Sequence, residues 1–266
     1  MSSKILIVVF LCLACVPSPA QSANLSGIAH VAFRVSDLDK TRQFYEKLGF
    51  EQAFEFKDDQ GKVTQAFIKI NDRQFIELYP RTQDSQPLGL THVCYEASDI
   101  EAVRSSYVKV GLNPPEVKKA RAGNLLFVLH DPDSQLVEYT QYLPGSLHSE
   151  DRGKHLGANR ISDHLLGATL SVKNVATERD FYVGSLGFVA GSIADQGVLR
   201  VGDDQLKLEP ASKNQIGTIT FRIESLKQAE KYLREHGFTP KNAEGAVQVG
   251  DPDGDVIVFA MSSDKK

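Results

Sequence analysis

The 266-residue chain contains no tryptophan, two methionines and three cysteines, and no block of positive charge. A net charge of −4 without basic clusters argues against nucleic acid as a partner and against binding to an anionic membrane surface. Of the cysteines only Cys94 lies beyond residue 20, which excludes an intrachain disulfide and a cysteine-rich zinc site there. With 41% hydrophobic residues the chain can form one large or two ordinary globular domains, whose partners are small molecules or proteins.

The first twenty residues contain the longest apolar run of the chain. Lys4 precedes the twelve apolar residues ILIVVFLCLACV, and PSPAQS then supplies a small-residue cleavage site after Ala20. This order is typical of a secretory signal peptide at residues 1–20, and it predicts an exported protein, periplasmic or secreted. Twelve apolar residues are too few to span a bilayer comfortably, so we expect no stable membrane insertion.

Helical segments that end in glycine and an apolar residue recur four times in the rest of the chain. They span 38–50, 100–112, 175–188 and 226–238, and each follows a short β-prone run. The glycine fits a left-handed helix C-cap. In the first half the helices precede β-prone runs bounded by turn signals such as NDR and DPDS, which predict about three strands each. The sequence therefore predicts four βαβββ modules and an α+β fold.

A longer repeat relates the two halves of the chain. RQFYEKLGF matches RDFYVGSLGF with one inserted residue, and HDPDSQLVEY matches GDPDGDVIVF. We therefore place one domain at 25–143 and a second at 165–262, joined by a polar linker at 144–164. The histidines in or near this linker are expected to be solvated: His148, His155 and His164.

Four stretches of the sequence resemble a known family: HVAFRVSDLDKTRQFYEKLGFE, FIELYP, LTHVCYEASDIEAV and HDPDSQLVEY. They are similar to the vicinal oxygen chelate superfamily, which includes glyoxalase I, fosfomycin- and bleomycin-resistance proteins, methylmalonyl-CoA epimerase and extradiol dioxygenases. The resemblance covers nearly all of the chain beyond the signal peptide and is stronger in the first half. It implies paired βαβββ modules with curved, barrel-like sheets that enclose a metal site, with ligands on the first and fourth strands of each module.

Two histidines and two glutamates occupy matched places in the first two modules. His30 and His92 lie in equivalent strands, and Glu77 and Glu138 lie in the last strand of each module. A glutamate buried in an apolar strand needs a partner, and the four groups can satisfy one another around a cation. We predict that these four residues bind one divalent metal ion, which would be Zn, Ni, Mn, Co or Fe. The competing interpretation is that one or more of them only pairs locally at a strand edge.

The second half has none of these residues at the corresponding places. Alignment of the repeats puts four other residues at the positions of the predicted ligands: Gly167, Leu208, Thr218 and Val258. Glu209 is one residue out of phase with Glu77, and such a slip turns a strand side chain to the opposite face. We expect the second domain to be a degenerate copy without metal ligands.

The ligand set and the resemblance together suggest a reaction class. Two imidazoles and two carboxylates leave an octahedral ion with room for two vicinal oxygens of a substrate. Such an ion polarises a carbonyl, and Glu138 or Glu77 would act as catalytic base. We expect an exported enzyme of the glyoxalase I-like lyase or isomerase type, a monomer or homodimer with a small-molecule substrate.

Two alternatives to this enzyme class stay open. An extradiol-type Fe(II) dioxygenase would use only His30, His92 and Glu138, and would need the position of Glu77 for its substrates. A non-catalytic protein of the same family would instead sequester a small molecule such as a drug.

Overall fold

The computed structural model describes residues 24–191, 197–211, 217–243 and 245–261. The predicted signal peptide at 1–20 lies outside the described residues. Among the described residues, no helix is both long and apolar enough to cross a membrane.

Eight strands and two helices form the first half. The strands are β1 (Leu25–Val35), β2 (Glu51–Lys57), β3 (Val63–Lys69), β4 (Phe75–Pro80), β5 (Gly89–Ala97), β6 (Lys118–Lys119), β7 (Leu125–His130) and β8 (Leu136–Gln141). Helix α1 (Leu38–Lys47) follows β1, and α2 (Ile100–Lys109) follows β5. The strand order is β2-β3-β4-β1-β5-β8-β7-β6, so two βαβββ modules join through the antiparallel strands β1 and β5.

The second half repeats this arrangement after a short helix, α3 (Leu147–Glu150). Its strands are β9 (Leu165–Val172), β10 (Val189–Ala190), β11 (Val198–Val201), β12 (Asp204–Pro210), β13 (Thr218–Arg222), β14 (Lys241–Ala243), β15 (Ala246–Gly250) and β16 (Val256–Ala260). Helix α4 (Val175–Asp180) follows β9, and α5 (Leu226–Glu235) follows β13. The order β10-β11-β12-β9-β13-β16-β15-β14 is equivalent to that of the first sheet. The prediction of four βαβββ modules in an α+β fold is confirmed.

The repeated glycines lie just after the ends of the helices. The backbone there is left-handed, with φ of 83° at Gly49, 88° at Gly111, 76° at Gly187 and 82° at Gly237. An L-residue with a side chain adopts this conformation at a cost, so glycine ends each helix where the chain must turn towards the next strand.

A π-helical turn accommodates the residue inserted in the third helical repeat. Helix α4 continues directly into the π-helix Phe181–Ser185. The amide of Phe188 donates to the carbonyl of Tyr182, whereas in the first repeat the amide of Phe50 donates to the carbonyl of Tyr45. The wider turn absorbs the extra residue, and both tyrosines therefore keep equivalent buried positions.

The two sheets share one apolar core, which lies between them together with their helices. Phe50 stacks on Phe221 with ring centroids 5.1 Å apart, and Tyr95 meets Phe188 edge to face at 4.9 Å. Each contact joins a residue of the first half to one of the second. The second half is therefore a structural partner of the first and buries one side of it.

The repeated DPD turns join the two halves at equivalent places. Asp253 accepts a hydrogen bond from the Ser36 amide at 2.8 Å, and Asp133 accepts one from the Lys173 amide at 2.5 Å. Ser36 and Lys173 both directly follow the first strand of a module. The DPD turns that repeat in the sequence thus form hydrogen bonds between the two halves.

The segment between the two sheets packs against the first sheet. Lys69, which is 0% exposed, lies 2.8 Å from a carboxylate oxygen of Asp151 in this segment. The expectation that the linker histidines are solvated is wrong for His148, which is 3% exposed, and for His164, which lies 2.7 Å from Asp204. His148 is buried because aromatic side chains on the concave face of the first sheet surround its ring, whereas His164 is held by the carboxylate of Asp204 in β12.

Candidate metal centre

The strand register brings two identical pairs of side chains to the concave face of the first sheet. In the first module His30 pairs with the residue two positions before Glu77. In the second module His92 pairs with the residue two positions before Glu138. Side chains two positions apart in a strand share a face, so each module presents one histidine and one glutamate together. The antiparallel pairing of β1 with β5 then places the two pairs side by side.

The four predicted ligands form one cluster. Nε2 of His30 lies 3.3 Å from Nε2 of His92, 3.5 Å from Oε1 of Glu77 and 3.6 Å from Oε1 of Glu138. Nε2 of His92 lies 3.9 Å from Oε2 of Glu138. Cys94, which pairs with His30 across the sheet, also brings its thiol near His30 and Glu138.

The spacing of these atoms fits a divalent cation. None of the four contacts has the length of a charge-assisted hydrogen bond, about 2.7–2.9 Å. Nitrogen and oxygen ligands about 2.1 Å from one metal ion lie roughly 3.0–3.4 Å from one another, close to the shorter separations seen here. Two imidazoles and two carboxylates are ligands that zinc, manganese and iron accept. The residues present therefore fit the predicted metal.

Burial controls the charge of the cluster. It lowers the pKa of His30 to about 3 and, with His30 as a second cause, the pKa of His92 to about 4. Both imidazoles are therefore neutral near pH 7 and have a free lone pair. Burial, and next the charge of Glu77, raise the pKa of Glu138 to about 8, and burial also raises the pKa of Glu77. A cation would relieve this crowding of buried carboxylates.

A neighbouring hydroxyl orients the His92 ring. Oγ of Thr91 lies 3.0 Å from the carbonyl oxygen of Ala32 and 3.2 Å from Nδ1 of His92. Because Thr91 has one hydroxyl proton and gives it to that carbonyl, it accepts the Nδ1 proton of His92. This assignment leaves the Nε2 lone pair directed at the cluster. For His30, Nδ1 has no hydrogen-bond partner among the described residues.

Two further side chains hold Glu77, a role that the sequence analysis assigned to neither. The Tyr79 hydroxyl donates to Oε2 of Glu77 at 2.8 Å, and the Gln65 amide donates to the same oxygen at 3.1 Å. The other carboxylate oxygen remains free to face His30. Two features of the sequence could have indicated these contacts. Tyr79 lies two positions after Glu77 in the same strand, and the short connection between β3 and β4 sets a register in which Gln65 lies close to Tyr79.

Two cavities adjoin the cluster. One, of about 320 Å³, is lined by Glu77, Glu138 and His148. The other, of about 520 Å³, reaches His92 and is partly walled by residues 169–171 of the second half. The cluster is thus accessible to a small molecule, and the second half shapes one of the approaches.

Aromatic rings surround His148 in the wall of the smaller cavity. Its ring stacks on Tyr142 at 4.6 Å and meets Phe54 and Phe75 edge to face at 5.0 and 4.9 Å. Neither ring nitrogen has a hydrogen-bond partner among the described residues. Burial lowers the pKa of His148 to about 3, so its imidazole is neutral near pH 7.

Comparison with known proteins identifies the family of the chain. Residues 29–127 match the Glyoxalase/Bleomycin resistance protein/Dioxygenase superfamily. Virulence protein STM3117 of Salmonella typhimurium (strain LT2) is 31% identical over 123 residues, which cover 44% of this chain and 84% of that protein. The chain belongs to the Glyoxalase/Bleomycin resistance protein/Dioxygenase superfamily. The resemblance seen in the sequence is therefore confirmed.

Solved structures of this superfamily share the fold of both halves. The Mn(II)-bound glyoxalase from Novosphingobium aromaticivorans aligns with a TM-score of 0.65 at 18% identity, over 89% of this chain and 82% of that one. The 2,3-dioxygenase LapB from Pseudomonas sp. KL28 aligns with a TM-score of 0.66 at 16% identity, over 90% and 93%. A catechol 2,3-dioxygenase aligns with a TM-score of 0.65 at 16% identity, over 91% and 89%.

The second sheet of this superfamily member has a different residue at each ligand position. Strand register puts Gly167, Thr218 and Val258 where His30, His92 and Glu138 stand, as the alignment predicted.

The fourth assignment, Leu208 in place of Glu77, is wrong. Lys207 pairs with Thr169 as Glu77 pairs with Ala32, whereas Leu208 faces the core and is 3% exposed. The sequence alignment slipped β12 by one residue, which exchanges its two faces. A protonated lysine is a poor metal ligand.

Proposed function

We propose that this protein is a metal-dependent enzyme that binds one divalent ion through His30, Glu77, His92 and Glu138. Its reaction is of the glyoxalase I-like lyase or isomerase type, on a small substrate with vicinal oxygens. The position of Glu77 carries this proposal. One of its oxygens lies 3.5 Å from Nε2 of His30, while two hydrogen bonds hold the other. Outer hydrogen bonds of this kind orient carboxylates that bind metals.

The two carboxylates have different roles in the proposed reaction. A divalent ion, when bound, would polarise a substrate carbonyl and stabilise the negative charge that develops as the neighbouring carbon loses a proton. Glu77 is anchored by two hydrogen bonds, whereas the group beside Glu138 is the Cys94 thiol, which donates to the carbonyl of Tyr95 instead. Glu138 also lines the smaller cavity with 13% of its side chain exposed. We therefore assign Glu138 as the base that takes up the substrate proton.

The raised pKa of Glu138 means that a cation is needed for this role. Burial and the Glu77 charge raise that pKa to about 8 in the protein without an ion. A carboxyl group with this pKa is mostly protonated at pH 7 and cannot take up a substrate proton. A cation beside it would lower the pKa and leave Glu138 ionised, as a base must be.

An extradiol-type dioxygenase is the second candidate. The similarity in fold to LapB and to catechol 2,3-dioxygenase, with TM-scores of 0.66 and 0.65, favours it. In that reaction His30, His92 and Glu138 would hold Fe(II). Glu77 counts against it, because its free oxygen lies where a further substrate oxygen would have to bind.

Metal analysis of the purified, chelator-stripped protein tests the proposed site. We expect about one Mn, Fe, Co, Ni or Zn ion per chain after reloading, and almost none in His30→Ala or His92→Ala. His236→Ala, which alters an exposed histidine at the end of α5, is the matched control and should bind as the wild type does. Two ions per chain, or unchanged metal content in His92→Ala, would refute the proposal.

We also propose that residues 1–20 direct export and are then removed. Expression of the full chain followed by N-terminal sequencing of the mature protein tests this point. The expected first residue is Gln21. Recovery of the intact N-terminus in the cytoplasmic fraction would refute export.

A further inference from the structure

The smaller cavity beside the cluster has a cationic rim. Its walls include Glu77 and Glu138 at one end and the segment Lys118–Ala122 at the other. This segment contains three cationic side chains: Lys118, Lys119 and Arg121. Within the described part of the chain, none of these three has a carboxylate within ion-pair distance, although the charge of Lys118 reaches Glu138 and acts to lower its pKa.

Arg121 is held in place despite its exposure. Its guanidinium donates to the carbonyl oxygen of Lys57 at 2.7 Å. The same group lies over the Phe56 ring, 4.5 Å from its centroid. These contacts use one edge and one face of the guanidinium and leave its other N–H groups available. Lys118 and Lys119 form the exposed strand β6 next to it.

The wall of the cavity also contains polar atoms without a partner. His148 is 3% exposed, lines the cavity, and has neither ring nitrogen bonded among the described residues. A buried polar atom without a hydrogen bond is costly in the free protein, and a ligand group that reached it would relieve that cost. The cavity thus combines two of the predicted metal ligands, a polar wall and a cationic rim without close ion pairs.

We propose that the substrate of this site carries an anionic group at a distance from its vicinal oxygens, and that Lys118, Lys119 and Arg121 bind that group. This inference rests on the proposed function, because the vicinal oxygens are assigned to the metal held by the four ligands. Guanidinium and ammonium groups form charge-assisted hydrogen bonds with carboxylates and phosphates. A cavity of about 320 Å³ limits the substrate to a small molecule.

Two hydroxamates that differ only in their tails test the inference. Butanohydroxamate and succinate monohydroxamate share a group with oxygens on adjacent atoms, but only the second ends in a carboxylate. Calorimetric titration of the Mn²⁺-loaded protein at low salt should give a dissociation constant roughly tenfold lower for the carboxylate probe. Added salt should reduce this preference.

Charge-removing variants locate the anion site. In Lys118→Gln/Lys119→Gln and in Arg121→Gln the preference should fall to about twofold or less, while both variants still bind butanohydroxamate and Mn²⁺. Lys227→Gln, which removes an exposed lysine on α5, should keep the full preference. Equal affinity for both probes in the wild type, or a preference that survives in the rim variants, would overturn the anion site and leave the metal site standing. Failure of the wild type to bind Mn²⁺ or any other divalent ion would instead refute the proposed function and this inference together.

Discussion

The hydroxyl oxygen of Thr91 lies 3.2 Å from Nδ1 of its neighbour His92, on the side of the ring opposite the metal cluster. Through its own bond to the Ala32 carbonyl, Thr91 can only accept from that nitrogen. The arrangement selects the tautomer in which Nε2 carries a lone pair. A single hydroxyl group therefore prepares His92 to bind a cation before the cation arrives.

Removal of this hydroxyl should weaken metal binding. We expect Thr91→Val to lower the affinity for Mn²⁺ or Zn²⁺ by roughly 10- to 100-fold, because the ring loses the group that fixes its tautomer and orientation. Thr91→Ser keeps the hydroxyl and should stay close to the wild type. Competition with a chelator of known affinity measures both variants. Equal affinity of Thr91→Val and wild type would show that Thr91 has no such role.

Glu77→Gln separates the two enzyme classes. The glutamine oxygen can still accept from Tyr79 and Gln65, which turns the amide NH₂ towards His30 and removes a ligand oxygen. If Glu77 is a ligand of a lyase or isomerase site, metal affinity or turnover should fall by roughly 10²- to 10⁴-fold. Tyr79→Phe removes one hydrogen bond only and should have a smaller effect.

The dioxygenase alternative predicts the opposite result for the same variant. Iron binding should then survive Glu77→Gln, since His30, His92 and Glu138 would suffice. A panel of catechols assayed under air and under argon, with wild type and variant, measures the difference. Oxygen-dependent ring cleavage by both wild type and Glu77→Gln would show that the protein is a dioxygenase.

His148→Phe should stabilise the protein. The imidazole is buried among aromatic rings and makes no hydrogen bond to the described residues, so a phenyl ring of similar shape removes the cost of two buried polar atoms. We expect the free energy of unfolding in urea to rise by about 1 kcal/mol. The exposed His130→Phe serves as the control and should change it little. A less stable His148→Phe variant would mean that the imidazole has a partner, such as an ordered water.

Asp255 should make stability depend on pH. Burial, followed by the charge of Asp251, raises the pKa of Asp255 from 3.8 to about 7. The folded state therefore holds this proton more tightly than the unfolded state, and the wild type loses stability as the pH rises from about 4 to about 7. Asp255→Asn cannot ionise but can still accept the hydrogen bond that the Gly217 amide makes at 2.7 Å.

Denaturation at pH 5 and at pH 8 measures this effect. Relative to Asp255→Asn, the wild type should lose roughly 1 kcal/mol or more of its free energy of unfolding between the two values. The exposed Asp84→Asn should follow the wild type at both. Parallel losses in wild type and Asp255→Asn would show that Asp255 keeps an ordinary pKa.

The local and repeated features of this protein could be predicted from its sequence. Glycine at the end of each helix, alternating apolar residues in the strands and the matched places of His30 and His92 are short-range patterns, and they yielded the four modules. Equivalent strands carry equivalent residues, so Glu77 and Glu138 could be assigned to the same face without coordinates. The inserted residue of the third helix was also visible, although its accommodation in a π-helical turn was not.

Only the tertiary structure decided which residues surround the four predicted ligands. The register of β12 is set by its pairing with β9, and a slip of one residue exchanged Leu208 for Lys207 in the sequence alignment. His148 lies in a polar segment and is buried only because the fold brings aromatic rings from other strands of the first sheet, Phe54 and Phe75, around it. Thr91 and Tyr79 lie close in the chain to the residues they contact. The Ala32 carbonyl that takes the Thr91 proton and the Gln65 amide that reaches Glu77 belong to other strands, and only the fold brings them there. Local propensity depends on neighbours in the chain, whereas burial and hydrogen-bond partners depend on which strands meet.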